Sequence, residues 1–104
     1  VLQDAGCGSS TGHFLSLVKY HKLATIIGEE SGGTYLCNDG SRTLKLKNTG
    51  ISCRIARVTF ATTAKNLPKD RGIIPDQIVI QDIQDFVNNN DTVLNYALKL
   101  IKDK

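Results

Sequence analysis

The stretch VLQDAGCGSSTGHFLSLVKYHKLATIIG, residues 1–28, carries the pattern from which the fold is read. Val1 to Asp4 forms a short apolar-led strand. Gly6 to Gly12 is a turn rich in glycine, serine and threonine, residue types that suit a helix N-terminus. From Ser10 to about Lys22, Phe14, Leu15, Leu17, Val18 and His21 recur at helical spacing, with Ser16, Lys19 and Lys22 on the wet face. The lysines stand near the C-terminal end, where the helix dipole favours cations. Ala24 to Ile27 is a mostly apolar run closed by Gly28, the pattern of a buried parallel strand. Strand, turn, helix and strand together make a parallel crossover, so the expected class is α/β.

Downstream, Gly28 to Ser41 reads as a long polar loop centred on Gly32 and Gly33, and its length points to a functional role. Arg42 to Lys47 alternates, Asn48-Thr49-Gly50 turns the chain, and Ile51 to about Thr62 returns as the second arm of a β-hairpin. In that arm the apolar phase moves from Ile51, Cys53 and Ile55 to Val58 and Phe60, which places a bulge near Ala56. Asn66 to Asp76 is irregular, and Gln77 to Ile80 reads as one more short strand. Asp91 or Thr92 caps a last helix with Val93, Leu94, Ala97, Leu98 and Ile101 inward.

Composition bounds the function. The chain has 104 residues, 40% of them hydrophobic and 22% charged, which is ordinary for one globular domain or part of one. No apolar stretch approaches the ~20 residues needed to span a bilayer. Thirteen basic against ten acidic residues give a net charge of +3. The basic residues are scattered, and with few aromatics for stacking they argue against nucleic-acid binding. Cys7, Cys37 and Cys53 form no CxxC pair and so spell neither a zinc ribbon nor a disulfide scaffold. They read either as three buried thiols or as a Cys37–Cys53 bridge with Cys7 free. The opening, strand-like and without an initiator Met, reads as a cut piece of a longer protein.

A serine where a strand turns sharply into a helix lies beside unpaired N–H groups and a positive dipole end. One chemistry makes Ser9 a nucleophile, with the Ser10 amide as an oxyanion donor. Another lays a phosphate on the same amides: Gly6, Gly8 and Gly12 approximate a dinucleotide fingerprint, with Glu29 near the place of a ribose-binding acid, although the third glycine comes one residue late for GxGxxG. A third reading is a purely structural glycine turn.

Three segments in register, Gly8-Ser9-Ser10-Thr11-Gly12-His13-Phe14, Ile27-Gly28-Glu29-Glu30-Ser31-Gly32-Gly33 and Gly72-Ile73-Ile74-Pro75-Asp76, resemble the C-terminal processing (tail-specific) peptidases, family S41, in their Bacteroidetes-type branch. The likeness runs through the whole chain. It implies a serine endopeptidase of crotonase- or ClpP-like fold, of which residues 1–104 are the C-terminal part of a single catalytic domain. By that likeness Ser9 is the acylating nucleophile and Ser10 gives its amide to the oxyanion hole. Asp70 falls near the triad acid of the tricorn-like branch. Glu29, Glu30, Gly32 and Gly33 form the substrate-binding loop.

The resemblance implies no metal or organic cofactor, a peptide or protein substrate, and a periplasmic or other extracytoplasmic setting. The sequence departs from the Ser-Lys branch, because Ser31-Gly32-Gly33-Thr34 stands where that branch keeps its lysine. The base is therefore expected from a histidine in an N-terminal half outside residues 1–104, which would leave the piece inactive alone. His13, four residues after Ser9, is the local candidate for that base. His21 reads as a half-buried packing residue, Asp76 as a turn-fixing acid, and Glu29 and Glu30 either as groups that orient a histidine or bind a substrate amine, or as caps on nearby amides. An exposed core face predicts self-association. Two other functions stay open: a non-catalytic peptide-binding homologue, and a nucleotide-binding fragment using the Gly6–Gly12 turn.

Overall fold

A computed structural model of the protein describes residues 1–103. It is mixed α/β, as the opening stretch predicts. β1 (Leu2–Gln3) leads into α1 (Ser10–Tyr20), which returns to β2 (Ile27–Gly28). β2 pairs in parallel with β1 on one side and with β7 (Gln77–Ile78) on the other, giving a three-stranded sheet of order β1-β2-β7. Between β2 and β7 the backbone makes β3 (Leu36–Asp39), β4 (Arg42–Lys45), β5 (Ser52–Ile55) and β6 (Val58–Ala61). Short α2 (Ile83–Val87) and longer α3 (Thr92–Lys102) follow β7.

The expected hairpin is present, with Arg42 opposite Ile55 and Lys45 opposite Ser52. It is one half of a longer antiparallel ribbon. The long loop expected over Gly28 to Ser41 contains β3, which pairs with β6 from Leu36 opposite Ala61 to Asp39 opposite Val58. The ladder breaks at Ala56 and Arg57, where the apolar phase changes in the sequence, and Gly40 takes φ 62° on the opposite arm. The loop reading missed β3 because Leu36-Cys37-Asn38-Asp39 has too few apolar residues to signal a strand without its partner.

The core is small. Leu15 and Val18 of α1 meet Ile26 and Ile73, with Cys7, Tyr35 and Leu67 packed against them. The buried face of α1 differs from the one its periodicity predicts. Gly12, Leu15, Ser16 and Val18 are buried, whereas Phe14 is exposed. Ser16 is fully enclosed, and its hydroxyl is satisfied there, donating to His13 O at 2.7 Å and pairing with Thr62 Oγ1 at 2.9 Å. His21 is exposed at the helix C-terminus and is not a packing residue.

Asp91 caps α3, accepting from Leu94 N at 2.8 Å, but only Ala97 of that helix is buried. Leu94, Leu98 and Ile101, expected inward, are exposed, as are Leu44, Ile55 and Phe60 on the ribbon. The Cα radius of gyration is 17.7 Å, against about 13 Å for a compact domain of this length. α2 was not expected, since five residues carry too short a period to read. Its signal is Asp82, whose carboxylate accepts from Gln84 N and Asp85 N. Among the described residues no helix is long and apolar enough to cross a membrane.

Candidate active site

Ser9 stands between Gly8 and the first turn of α1 with φ 51° and ψ −125°. A non-glycine residue in this sparsely populated region is held there by its surroundings, since left alone it would relax. The conformation turns Ser9 away from the usual capping role. Its hydroxyl makes no cap hydrogen bond, and the residue is exposed. The amides behind it are partly used: Thr11 N donates to Gly8 O at 3.0 Å and Gly12 N to Ser9 O at 2.9 Å. Among the described hydrogen bonds the Ser10 amide has no acceptor. The amide directly after the serine is thus open to an incoming acceptor, as one of the donors of an oxyanion hole would be.

The loop after β2 clamps this turn. Gly33 N donates to Cys7 O at 2.9 Å, and a Cβ on Gly33 would lie 2.9 Å from Gly8 Cα and 3.0 Å from Ser9 N. Only glycine allows so close an approach of two backbones. Gly12 is likewise closed in by Thr34 O and the Gly33 backbone. Ser31 fixes the loop from beneath. It is 3% exposed, its hydroxyl donates to Gly33 O at 2.7 Å, and it accepts from Ile73 N at 2.8 Å.

Glu30 supplies a second tie. Its carboxylate accepts from Arg71 Nε at 3.1 Å, from a second Arg71 nitrogen, and from Gly72 N at 2.8 Å. The Arg71 hydrogen bonds hold its carboxyl below the ordinary carboxylate value; desolvation opposes them, and the Gly72 amide and the Arg71 charge add to the lowering. Of the two roles read for Glu30, the geometry shows the amide cap. Gly32 is exposed, and a Cβ added there would run into Ala5 O. Glu29 lines a separate cleft with Gln3, Asp4, Phe86 and Asn90. Asp76 fixes its turn as expected, accepting from Lys19 Nζ at 2.7 Å and Ile26 N at 2.9 Å.

The Ser9 hydroxyl opens onto a cleft of about 410 Å³ lined by Cys37, Asn38, Asp39, Ser41 and Arg54. Among the described residues its one side-chain neighbour within hydrogen-bonding distance is Cys37 Sγ at 3.4 Å. Cys7, Cys37 and Cys53 are all free and half-buried, so neither a bridge nor three enclosed thiols describes them. His13 is half-buried, and its Nε2 is enclosed without a hydrogen-bond partner. Asp70 is exposed in the loop beside Arg71. Among the described residues neither His13 nor Asp70 hydrogen-bonds the Ser9 hydroxyl.

The sequence did not single out Arg54, Ser41 or the Cys37 contact with Ser9. Each depends on the pairing of β3 with β6 and of β4 with β5, which carries no local signal. Among the described residues no group of three or more His, Cys, Asp or Glu is placed to hold a metal. The sequence matches no family model, and a search of curated proteins finds no significant relative.

Proposed function

We propose that the protein is part of the catalytic domain of a serine-type endopeptidase, with Ser9 as the nucleophile that forms an acyl-enzyme. The observation that carries this reading is the backbone of Ser9, turned at φ 51° at the head of α1 with its hydroxyl uncommitted to a cap and the next amide free. Attack by Ser9 Oγ on a peptide carbonyl forms the C–O bond of a tetrahedral intermediate. Its oxyanion settles on the Ser10 N–H, and collapse expels the amine, which takes up a proton. Water then releases the acid product and restores the hydroxyl.

The base that takes the Ser9 proton comes, in this reading, from a histidine outside residues 1–104, as the S41 resemblance implies. Asp70 is the acid that the tricorn-like likeness implies for orienting it. The resemblance also supports the crotonase-like fold and the extracytoplasmic setting.

A second reading, a peptide-binding homologue without hydrolysis, is favoured by the Cys37 thiol being the group that meets Ser9 Oγ. A fluorophosphonate probe on the full-length protein separates the two. Labelling that maps to Ser9 and disappears in Ser9→Ala supports the peptidase. Peptide affinity without labelling supports the binder, and equal labelling of both variants removes Ser9 from the chemistry.

A further inference from the structure

The charges of the chain are segregated in a way that the net value hides. From Gly40 to Lys69 there are seven basic residues and no acidic one, and from Gly72 to Leu98 four acidic residues and no basic one. The first segment contains the β4–β5 half of the ribbon. Pairing sets Leu44 opposite Cys53 and Arg42 opposite Ile55, and Leu46 N donates to Ile51 O at 2.8 Å. Side chains directly opposite one another share a face, so Leu44, Leu46, Ile51 and Ile55 line one side of this half while Lys45 and Arg54 stand on the other. All four apolar residues are 42–58% exposed.

The second segment contains β7 and α2. β7 is the last strand of the three-stranded sheet, and among the described residues nothing pairs with its outer side. Gln77 N donates to Ile26 O at 3.1 Å and Val79 N to Gly28 O at 3.0 Å, so the Ile78 N–H, which alternates with them, points to the open edge. On β7, α2 and the residues between them, Ile78, Ile80, Ile83, Phe86 and Val87 are 66–71% exposed, interleaved in sequence with Asp82 and Asp85. An unpaired edge with apolar side chains beside it is a template for a further strand.

Each surface offers what the other lacks, and both stay exposed within one molecule. We infer that the β4–β5 half of the ribbon of one copy docks on the β7–α2 surface of a second copy of this chain, its outer strand extending the sheet at Ile78. Charge decides the pairing. Ribbon against ribbon brings like positive charges together and edge against edge like negative ones, whereas ribbon against edge joins opposite signs. A two-fold pair, in which each copy gives its ribbon and receives its partner's, satisfies both surfaces at once. The contact is independent of the chemistry at Ser9 and holds under either reading of that site.

The test is sedimentation velocity of the full-length protein at micromolar concentration. The parent should associate, with Kd rising about tenfold as NaCl goes from about 0.05 to 0.5 M. Lys45→Glu with Lys47→Glu damages only the ribbon, and Ile78→Lys with Ile80→Lys damages only the edge; all four positions are exposed. Each double variant should weaken association at least about tenfold while keeping the circular dichroism of the parent. Mixed, the two should associate again, because the first supplies an intact edge and the second an intact ribbon. A parent that stays monomeric overturns the inference, and so does association that neither variant changes, which would place the contact elsewhere. Loss in one variant alone, or in both without recovery on mixing, overturns the ribbon-to-edge pairing.

Discussion

Replacing Ser31 by Ala tests how the nucleophile turn is held. Ser31 is 3% exposed, and its hydroxyl bridges Gly33 O at 2.7 Å and Ile73 N at 2.8 Å. In Ser31→Ala the buried Ile73 N–H loses its acceptor, which costs about 1–3 kcal/mol, and the part-buried Gly33 carbonyl loses a donor worth roughly 1 kcal/mol more. The expected destabilisation is therefore about 2–4 kcal/mol by urea unfolding. Ser52→Ala, on an exposed ribbon position without such bonds, should stay within about 0.5 kcal/mol. Because the Gly33 backbone packs closely on Gly8 and Ser9, the same variant should also slow probe labelling of Ser9 in the full-length protein under conditions where it is folded. A Ser31→Ala protein as stable as the Ser52→Ala control, labelling at the parent rate, would refute the clamp.

Three further outcomes are expected. Gly33→Ala forces a Cβ against Gly8 Cα at 2.9 Å and Ser9 N at 3.0 Å, so labelling should fall by more than about tenfold even in folded protein. Alkylation of Cys37, whose Sγ lies 3.4 Å from Ser9 Oγ, should block labelling, while Cys37→Ala should label normally and resist the alkylating agent's effect. For Asp76, burial alone would raise the carboxyl pKa, but the hydrogen bonds from Lys19 and Ile26 N outweigh it and hold the value below the ordinary 3.8. A depressed folded-state pKa stabilises above the unfolded value, and that stability is lost as pH falls through the folded one. Urea midpoints of the parent and Asp76→Asn should accordingly differ at pH 7 and converge below about pH 4; a gap independent of pH would contradict this.

The sequence reveals most where local chemistry is self-sufficient. The glycine-serine turn, the start of α1, the parallel β1–β2 crossover and the Asn48-Thr49-Gly50 hairpin each carry their signal within a few residues. Sequence reading fails where a partner far along the backbone decides. Ser16 reads as a wet-face residue, yet it is buried because Thr62 and His13 O satisfy its hydroxyl. β3 is invisible without β6, and with it the cleft of Cys37, Ser41 and Arg54. Leu94, Leu98 and Ile101 follow helical spacing as expected, but no described element fully covers them. The self-association expected of an exposed core face is tested by light scattering on dilute protein, which should show an associated species; a monodisperse monomer would contradict it.

The Ser9 site is tested most directly by the crystal structure of its phosphonate adduct. The account predicts the phosphorus bonded to Ser9 Oγ and a phosphonyl oxygen about 2.7–3.1 Å from Ser10 N. An adduct whose oxygen points away from the head of α1, or a bond to any other residue, would contradict it.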